Sequence, residues 1–348
     1  MRYLFPLNPY NQQRQFQKPA WVYPAHLAMY ATYLRNRGEK VSWGKLHLNE
    51  SFGWMGENAP LPNEEVCFIE NDFAIEVPFE HLPFPDREFT DAKNKRWQSY
   101  GNYKFHPATH MMASNLCWYG KCTFCIDTAK LEAGEKRGVR SVDHVIEEID
   151  CLIAQGYREV FDDSGTFPVG AWLEEFCEKM NERGRNRKIV LGCNMKPVKL
   201  DYKMMGKAGF RFILVGIESA NQETINRIKK GQNNNHIVPV MKAMADAGLE
   251  VHLTSMFGYE WESHADAMRT VNLIHFLLKK GYVKTAQASV FMPPRTAPQR
   301  NHPAQKYVQM VYDAYKKPWY WWRKIRDIKR WEDLTYLTRR LGHVKHAE

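Results

Sequence analysis

The sequence lacks the long apolar runs that a membrane protein needs. No apolar stretch in its 348 residues approaches the roughly 20 residues of a transmembrane helix. The first residues, MRYLFPLNPYNQQRQFQKPAW, also lack the unbroken apolar segment of a secretory signal. We therefore expect a soluble cytoplasmic protein.

The number of cysteines is too low for a disulfide framework, and it is odd. The chain has seven cysteines, an odd number in a long sequence, which favours a reducing compartment. It also lacks the paired C-x-x-C segments typical of structural zinc sites. Acidic residues are the minority charge, since 49 Lys and Arg against 39 Asp and Glu leave a net charge of +10. This excess favours an anionic partner, such as a nucleic acid or a phosphorylated substrate.

Three of the cysteines lie in one short segment, CWYGKCTFC at 117–125. The spacing between Cys117, Cys122 and Cys125 fits neither a helix nor a strand, so a loop must gather the thiols. Such a loop predicts a metal ion or an iron–sulfur cluster. Three ligands either leave one coordination position open for chemistry or need a fourth protein ligand. In the second case the site could be structural zinc, with His106 or His110 completing it.

From Thr109 the apolar pattern alternates between strands and helices, which is typical of parallel βαβ units. The fold class is therefore α/β, and six such units predict a partial (β/α)6 TIM-like barrel. The predicted strands are 109–114, 160–161, 188–193, 212–215, 251–256 and 286–291.

The chain divides into three predicted parts. Residues 1–90 form a reduced N-terminal α/β segment and linker, with a helix that begins at Pro24 and ends near Gly38. Residues 91–300 form the barrel. Residues 301–348 form a basic, aromatic, helical C-terminal extension.

Polar residues follow the predicted strands, at the edge where the sites of such barrels lie. The candidates are Asp162, Asp163, Ser164 and Gly165 after the second strand, Asn194 and Lys196 after the third, Glu218 and Ser219 after the fourth, and Gly258 and Glu262 after the fifth. Each has a structural alternative, for example a helix cap at the Asp pair or an ion pair with an arginine at Glu218. Cys151 and Cys177 lie in predicted amphipathic helices, where we expect buried thiols, and core packing is also favoured for Cys193.

The cysteine segment resembles the cluster loop of radical S-adenosylmethionine (radical SAM) enzymes. The resemblance extends over about residues 105–300 and includes FDDSGTFP at 161–168, AGFRFILVGIESANQETINRIKKG at 208–231 and VFMPPRTAP at 290–298. In that family three thiolates hold a [4Fe–4S] cluster whose fourth iron binds S-adenosylmethionine. An electron from the cluster then cleaves this cofactor to a 5′-deoxyadenosyl radical that abstracts hydrogen from a substrate. The resemblance thus implies an oxygen-sensitive enzyme, an electron donor of the flavodoxin or ferredoxin type and an unidentified substrate, for which the net charge favours an anion.

The resemblance also implies a role for each matching position. The implied cluster ligands are Cys117, Cys122 and Cys125. The implied cofactor contacts are Phe124 near the adenine, Asp162, Asp163, Ser164 and Gly165 at the amino group, Asn194 and Lys196 at the carboxylate, Glu218 and Ser219 at the ribose or carboxylate, and Met292 and Pro293 beside the adenine.

Two features depart from the family pattern. The commonest cluster spacing is x3 then x2, whereas this chain has x4 then x2, and Gly120 could absorb the extra residue. The segment HLPFPDREF and the basic tail are similar to the subgroup that usually carries an N-terminal cobalamin-binding domain. The D-x-H-x-x-G motif of that domain is absent and the N-terminal segment is short, so we expect no bound cobalamin.

A second class of function is a non-catalytic zinc or iron–sulfur module that contacts RNA through the basic aromatic tail at 316–324. We favour packing of this tail over the barrel, with its charges in solvent.

Overall fold

The computed structural model describes residues 2–6, 25–44, 66–68, 77–94, 98, 102–292 and 302–344. Within these residues there is no helix with the length and apolar character needed to span a bilayer.

The largest element is a parallel sheet of six strands that lie side by side in chain order. Its strands are β4 (Ala108–Met111), β5 (Glu159–Asp162), β6 (Val190–Met195), β7 (Phe210–Glu218), β8 (Glu250–Phe257) and β9 (Thr285–Val290). Every adjacent pair is parallel, so the predicted α/β class and partial (β/α)6 barrel are confirmed. The strands β6 and β7 run farther than predicted, and they include Asn194 and Glu218.

Helices separate the strands and cover the outside of the sheet. They are α2 (Ile126–Glu132), α3 (Val142–Ala154), α4 (Ala171–Asn181), α5 (Tyr202–Lys207), α6 (Gln222–Arg227), α7 (Ile237–Asp246) and α8 (His264–Lys280). Ser141 caps α3, because its hydroxyl accepts the amide hydrogen of His144. Cys177 and Cys193 are fully buried, but Cys151 is exposed. The prediction for Cys151 is therefore wrong, because this residue falls on the solvent face of α3.

The N-terminal segment contains a second parallel sheet of three strands, β1 (Arg2–Pro6), β2 (Lys40–Gly44) and β3 (Val66–Phe68), in the order β2-β1-β3. The helix α1 (Ala25–Asn36) was predicted, and Gly38 follows it at φ 83° as a helix stop. The strand β1 was not predicted from the sequence. Ala28 and Met29 of α1 belong to the same apolar core as Met111 of β4, so this helix packs on the barrel.

Side chains satisfy the outer edge of each terminal strand of the large sheet. At β4, the amide group of Gln98 accepts from Ala108 N at 2.8 Å and donates to Ala108 O at 2.7 Å. At β9, the hydroxyl of Tyr315 bonds to both the amide and the carbonyl of Ala286. The hydroxyl of Tyr312 does the same at Ala288.

The two tyrosines belong to the C-terminal extension. This extension comprises α9 (Gln305–Tyr312), α10 (Pro318–Arg326) and α11 (Trp331–Val344). In α10, Tyr320 and Arg323 are buried, and Arg323 donates to Val283 O just before β9. The basic aromatic tail therefore packs over the barrel, although Trp322 remains 65% exposed.

A buried ion triad fastens the linker to the barrel. Glu148 of α3 bonds to Arg87 of the linker through one carboxylate oxygen and to Arg140 through the other, both at 2.5 Å. All three side chains are buried. Burial alone would raise the pKa of Glu148, but the two guanidinium groups reverse this effect and hold its pKa below the usual range.

We predict that Glu148→Gln lowers the free energy of unfolding by about 3–5 kcal/mol, because it leaves two buried cations without a counter-charge. Urea unfolding followed by circular dichroism measures this loss. The matched control is Glu147→Gln, an exposed neighbour on the same helix, which should change stability by less than about 0.5 kcal/mol. Equal effects of the two changes would contradict a structural role for the triad.

Candidate active site

The cysteine loop, residues 117–125, leaves the carboxyl edge of the sheet after β4. Cys125 is the last residue before α2, so the loop ends where this helix begins. Cys117 is buried, whereas Cys122 and Cys125 are half-buried, and all three thiols are free. Burial raises the pKa of Cys125 to about 11 and also raises that of Cys122, and the charge of Cys117 adds to both shifts. The three thiols thus share one electrostatic environment.

The donor set fits a cluster better than a single metal ion. In the described ranges no three His, Cys, Asp or Glu side chains come close enough to hold one ion. The thiolates of a [4Fe–4S] cluster each bind a different iron, so they need not converge on one point. His106 bonds to Gln98 before β4 begins, and His110 packs between Tyr103 and Phe161 within the barrel. Neither histidine joins the thiols in the way that the zinc alternative requires.

Two residues that the sequence analysis missed hold Cys117 in place. Its amide donates to Asp127 Oδ2 at 2.8 Å, and its Sγ lies 3.2 Å from Thr166 Oγ1. A Cβ at Gly165 would stand 2.0 Å from Asp127 Oδ2 and 3.2 Å from Cys117 Cβ. Gly165 therefore lets the turn after β5 approach the cysteine loop closely.

Asp162 ends β5, and Asp163 and Ser164 begin the turn that follows; Asp162 and Ser164 bond to backbone amides. Asp162 accepts from Ala113 N at 2.7 Å and from Ser164 N at 3.0 Å. Ser164 Oγ accepts from Ala113 N at 3.1 Å and from Ser114 N at 2.9 Å. Asp163 is the exposed carboxylate of the turn, and Asn194 donates to Ser164 O beside it.

A buried lysine follows β6. The Nζ atom of Lys196 donates to Lys230 O at 2.6 Å and lies 3.0 Å from the ring centroid of Tyr119. Burial lowers the pKa of Lys196 to about 8, the charges of Cys122 and Cys117 oppose this shift, and the charge of Lys230 adds to it. Lys196 is thus a buried side chain rather than a solvated surface lysine.

Glu218 ends β7 in a left-handed conformation, with φ 59°. Its Oε1 accepts from Lys230 Nζ at 2.9 Å, and both side chains are buried. The partner is thus a lysine rather than the arginine of the structural alternative. Neighbouring Ser219 is fully buried, where its hydroxyl accepts from Asn221 N and lies 3.4 Å from Thr270 of α8.

An aromatic group forms one side of the site. Phe124 packs against Ile225, Ile228 and Tyr259, together with Met256, Trp261 and Phe291. Tyr259 is 2% exposed, and among the described residues its hydroxyl has no hydrogen-bond partner. Met292 is 43% exposed at the end of β9, and Pro293 lies outside the described residues.

Glu262 follows β8 and accepts a hydrogen bond from the loop that leaves this strand. One carboxylate oxygen accepts from Gly258 N at 2.7 Å, and the other is buried without a partner in the described part of the chain. Burial raises the pKa of Glu262 to about 7.

Comparison with known proteins supports the predicted family. Residues 111–274, just under half of the chain, match the family model described as the Radical SAM superfamily. The match runs from the last residue of β4 into α8 and includes the cysteine loop and the turns after β5 and β7, so the predicted resemblance is confirmed.

A curated relative is the protein named "Putative methylthiotransferase MJ0865" from Methanocaldococcus jannaschii, which is 24% identical over 172 residues. The aligned region covers 44% of this chain and 36% of the relative, so the chain spans about a third of that protein.

Solved radical SAM structures also resemble the chain, at low identity. The methyltransferase TsrM from Kitasatospora setae is 17% identical with a TM-score of 0.45, over 52% of this chain and 36% of TsrM. The coproporphyrinogen III oxidase HemN from Escherichia coli is 12% identical with a TM-score of 0.43, over 65% of this chain and 55% of HemN.

Asp162, at the end of β5, should make the stability of the protein depend on pH. Burial raises the pKa of Asp162 to about 6, so the folded protein holds a proton that the unfolded chain releases near pH 4. This carboxyl therefore favours folding in acid, and its contribution is lost as the pH rises from about 4 to about 6.

We predict that Asp162→Asn removes this loss. The difference in the free energy of unfolding, variant minus original protein, should increase by about 2 kcal/mol between pH 4 and pH 7. Urea titrations of both proteins across this range measure the difference. A difference that does not change with pH would show that the Asp162 pKa is not raised.

Proposed function

We propose that the chain is a radical SAM enzyme in which Cys117, Cys122 and Cys125 hold a [4Fe–4S] cluster. When bound, the cluster supplies an electron that cleaves S-adenosylmethionine, and the 5′-deoxyadenosyl radical takes a hydrogen atom from a substrate. The observation that carries this proposal is the position of three free thiols at the carboxyl edge of the barrel, beside two buried ammonium groups.

The polar groups around the thiols fit a zwitterionic cofactor. Asp163 presents an open carboxylate that suits the cofactor amino group, whereas Asp162 and Ser164 hold the turn in place. Lys196 supplies a positive charge for the carboxylate of the cofactor. Glu218, oriented by Lys230 at 2.9 Å, presents its second carboxylate oxygen for ribose hydroxyls.

The aromatic group formed by Phe124, Tyr259 and Phe291 supports an adenine site. The rings of Tyr259 and Phe291 are tilted against each other with centroids 4.6 Å apart, and Phe124 packs against the same cluster. A flat apolar surface of this kind suits a purine ring and keeps water away from the reacting carbon. The exposed Met292 would lie at the border of this site.

The surface around the cysteine loop supports an external electron donor as a partner. Cys122 and Cys125 are half-exposed, and the nearby chain presents the exposed cations Lys121, Lys136 and Arg137. An acidic donor of the flavodoxin or ferredoxin type complements this charge, since electrostatic complementarity speeds encounter.

The second candidate is a binding module that contacts RNA through the C-terminal extension. Exposed Trp322 and Trp331 favour it, because aromatic faces next to cations stack on bases. However, Tyr312, Tyr315 and Arg323 are engaged with β9 and its entry.

We predict that the protein, reconstituted anaerobically with iron and sulfide and then reduced, converts S-adenosylmethionine to 5′-deoxyadenosine. Mass spectrometry of the product measures this conversion. Cys122→Ala should lose it, because one cluster ligand is missing, whereas Cys151→Ala, at an exposed thiol on α3, should retain it. Binding of zinc in preference to iron, with a salt-dependent affinity for RNA, would contradict the enzyme and support the binding module.

We also predict that Glu218→Ala weakens S-adenosylmethionine binding about tenfold and leaves the iron content unchanged. The change removes a charge-assisted hydrogen bond, which accounts for this magnitude. Isothermal titration and iron analysis measure the two quantities, and Glu223→Ala, at an exposed carboxylate on α6, is the matched control. A parallel loss of iron and cofactor would show that Glu218 has a structural role instead.

A further inference from the structure

Tyr119 occupies the longer part of the cysteine loop and reaches across to another element. Its hydroxyl donates to Lys229 O at 3.0 Å, in the turn 228–231 that follows α6. Gly231 of this turn has φ 60°, and a Cβ there would stand 2.0 Å from the Tyr119 hydroxyl. The turn is therefore shaped to accept this side chain.

Two further contacts join the loop and the turn. Thr123 N donates to Ile228 O at 3.1 Å, which attaches the middle of the cysteine loop. The Lys196 ammonium lies against the ring face of Tyr119 and bonds to Lys230 O. The ring of Tyr119 thus covers Lys196, whose ammonium group bonds to a carbonyl of the turn.

The same turn carries the lysine that orients Glu218. Lys230 is 5% exposed and its Nζ donates to Glu218 Oε1. A continuous series of contacts therefore runs from Tyr119 through the turn to the end of β7. A displacement of the turn would move both Lys230 and its carboxylate partner.

We propose that Tyr119 is a positioning residue that locks the turn 228–231 against the cysteine loop and so fixes Lys196, Lys230 and Glu218 beside the thiols. Tyr119 lies in the four-residue segment between Cys117 and Cys122, so this contact anchors the longer part of the cysteine loop. The consequence for cofactor binding rests on the proposed function, whereas the contact itself does not.

Hydrogen exchange in the protein without cluster tests the contact directly. The amides of Ile228, Lys229 and Lys230 are bonded within the turn and α6, so their exchange reports its opening. In Tyr119→Ala these amides should exchange about tenfold faster, because a hydrogen bond and a cation–π contact are lost. Tyr119→Phe keeps the ring and should show about a threefold increase.

The control is Lys121→Ala, at an exposed neighbour in the same loop, which should leave exchange in the turn unchanged. Amides of α8 should be unaffected in every variant. Unchanged exchange in Tyr119→Ala, or an equal acceleration throughout the protein, would overturn the proposal.

A second route displaces the side chain without changing it. Gly231→Ala should force Tyr119 out of contact and accelerate exchange at Lys229 and Lys230 in the same way. In a Tyr119→Ala background the clash is gone and only the strain of an alanine at φ 60° remains, so the substitution should have a smaller effect. Additive effects of the two changes would overturn the proposal.

After reconstitution, Tyr119→Ala should keep its iron content and bind S-adenosylmethionine about tenfold more weakly, with Tyr119→Phe intermediate. Equal affinity in all three proteins would overturn the link to the cofactor. If the unchanged protein binds no cofactor, the proposed function fails, and the exchange measurements still support or overturn the contact.

Discussion

The peptide groups where the chain leaves β4 need hydrogen-bond acceptors, and the rest of the site depends on how they obtain them. In the described part of the chain these amides have no strand partner past the end of β4, and Asp162 and Ser164 accept the amide hydrogens of Ala113 and Ser114 instead. These bonds fix the direction in which the cysteine loop departs. Asp127 then holds Cys117 N and Gly165 allows the close approach between the loop and the turn. Buried amides left without acceptors would each cost about 1–3 kcal/mol, so this junction has little freedom to shift.

Charge balance explains why two lysines are buried beside the thiols. Among the described residues Lys230 is paired with the buried carboxylate of Glu218, whereas the ammonium group of Lys196 bonds to a backbone carbonyl, which leaves an excess positive charge in the mouth of the barrel. A buried excess of one sign is costly unless an opposite charge joins it. The proposed cluster with three thiolate ligands would be anionic, and so would a cofactor carboxylate, so loading the site would relieve this cost. Burial and the charge of Lys230 both lower the pKa of Lys196.

The alternating pattern of the sequence was sufficient for the six parallel strands and their order, because every βα unit is local in the chain. Strand ends were less predictable, since apolar residues continue through Val215 to Ile217 while pairing with β8 decides where β7 stops. Motifs located the thiols and the polar turns, but they did not distinguish Asp163 from Asp162. Asp163 faces solvent, whereas the carboxylate of Asp162 accepts hydrogen bonds from backbone amides. The sequence pattern gave no signal for Lys230, Asp127 or Tyr259, because the roles of these residues arise from contacts between distant segments. The same holds for β1, whose partners β2 and β3 lie some 40 and 60 residues away in the chain.

The capped edges of the large sheet bear on how this domain can be isolated or exchanged. Gln98 and Arg87, which satisfy the outer side of β4, precede residue 111, and Tyr312 and Tyr315, which satisfy β9, follow residue 274. A fragment cut at the borders of the family match would therefore lose β9 and most of β4, and would expose the unpaired edges of β5 and β8. Bare strand edges recruit other strands, so such a fragment is prone to self-association even though it retains every cysteine of the cluster loop. In this protein the segments outside the matched region therefore cover the outer edges of both terminal strands of the open barrel.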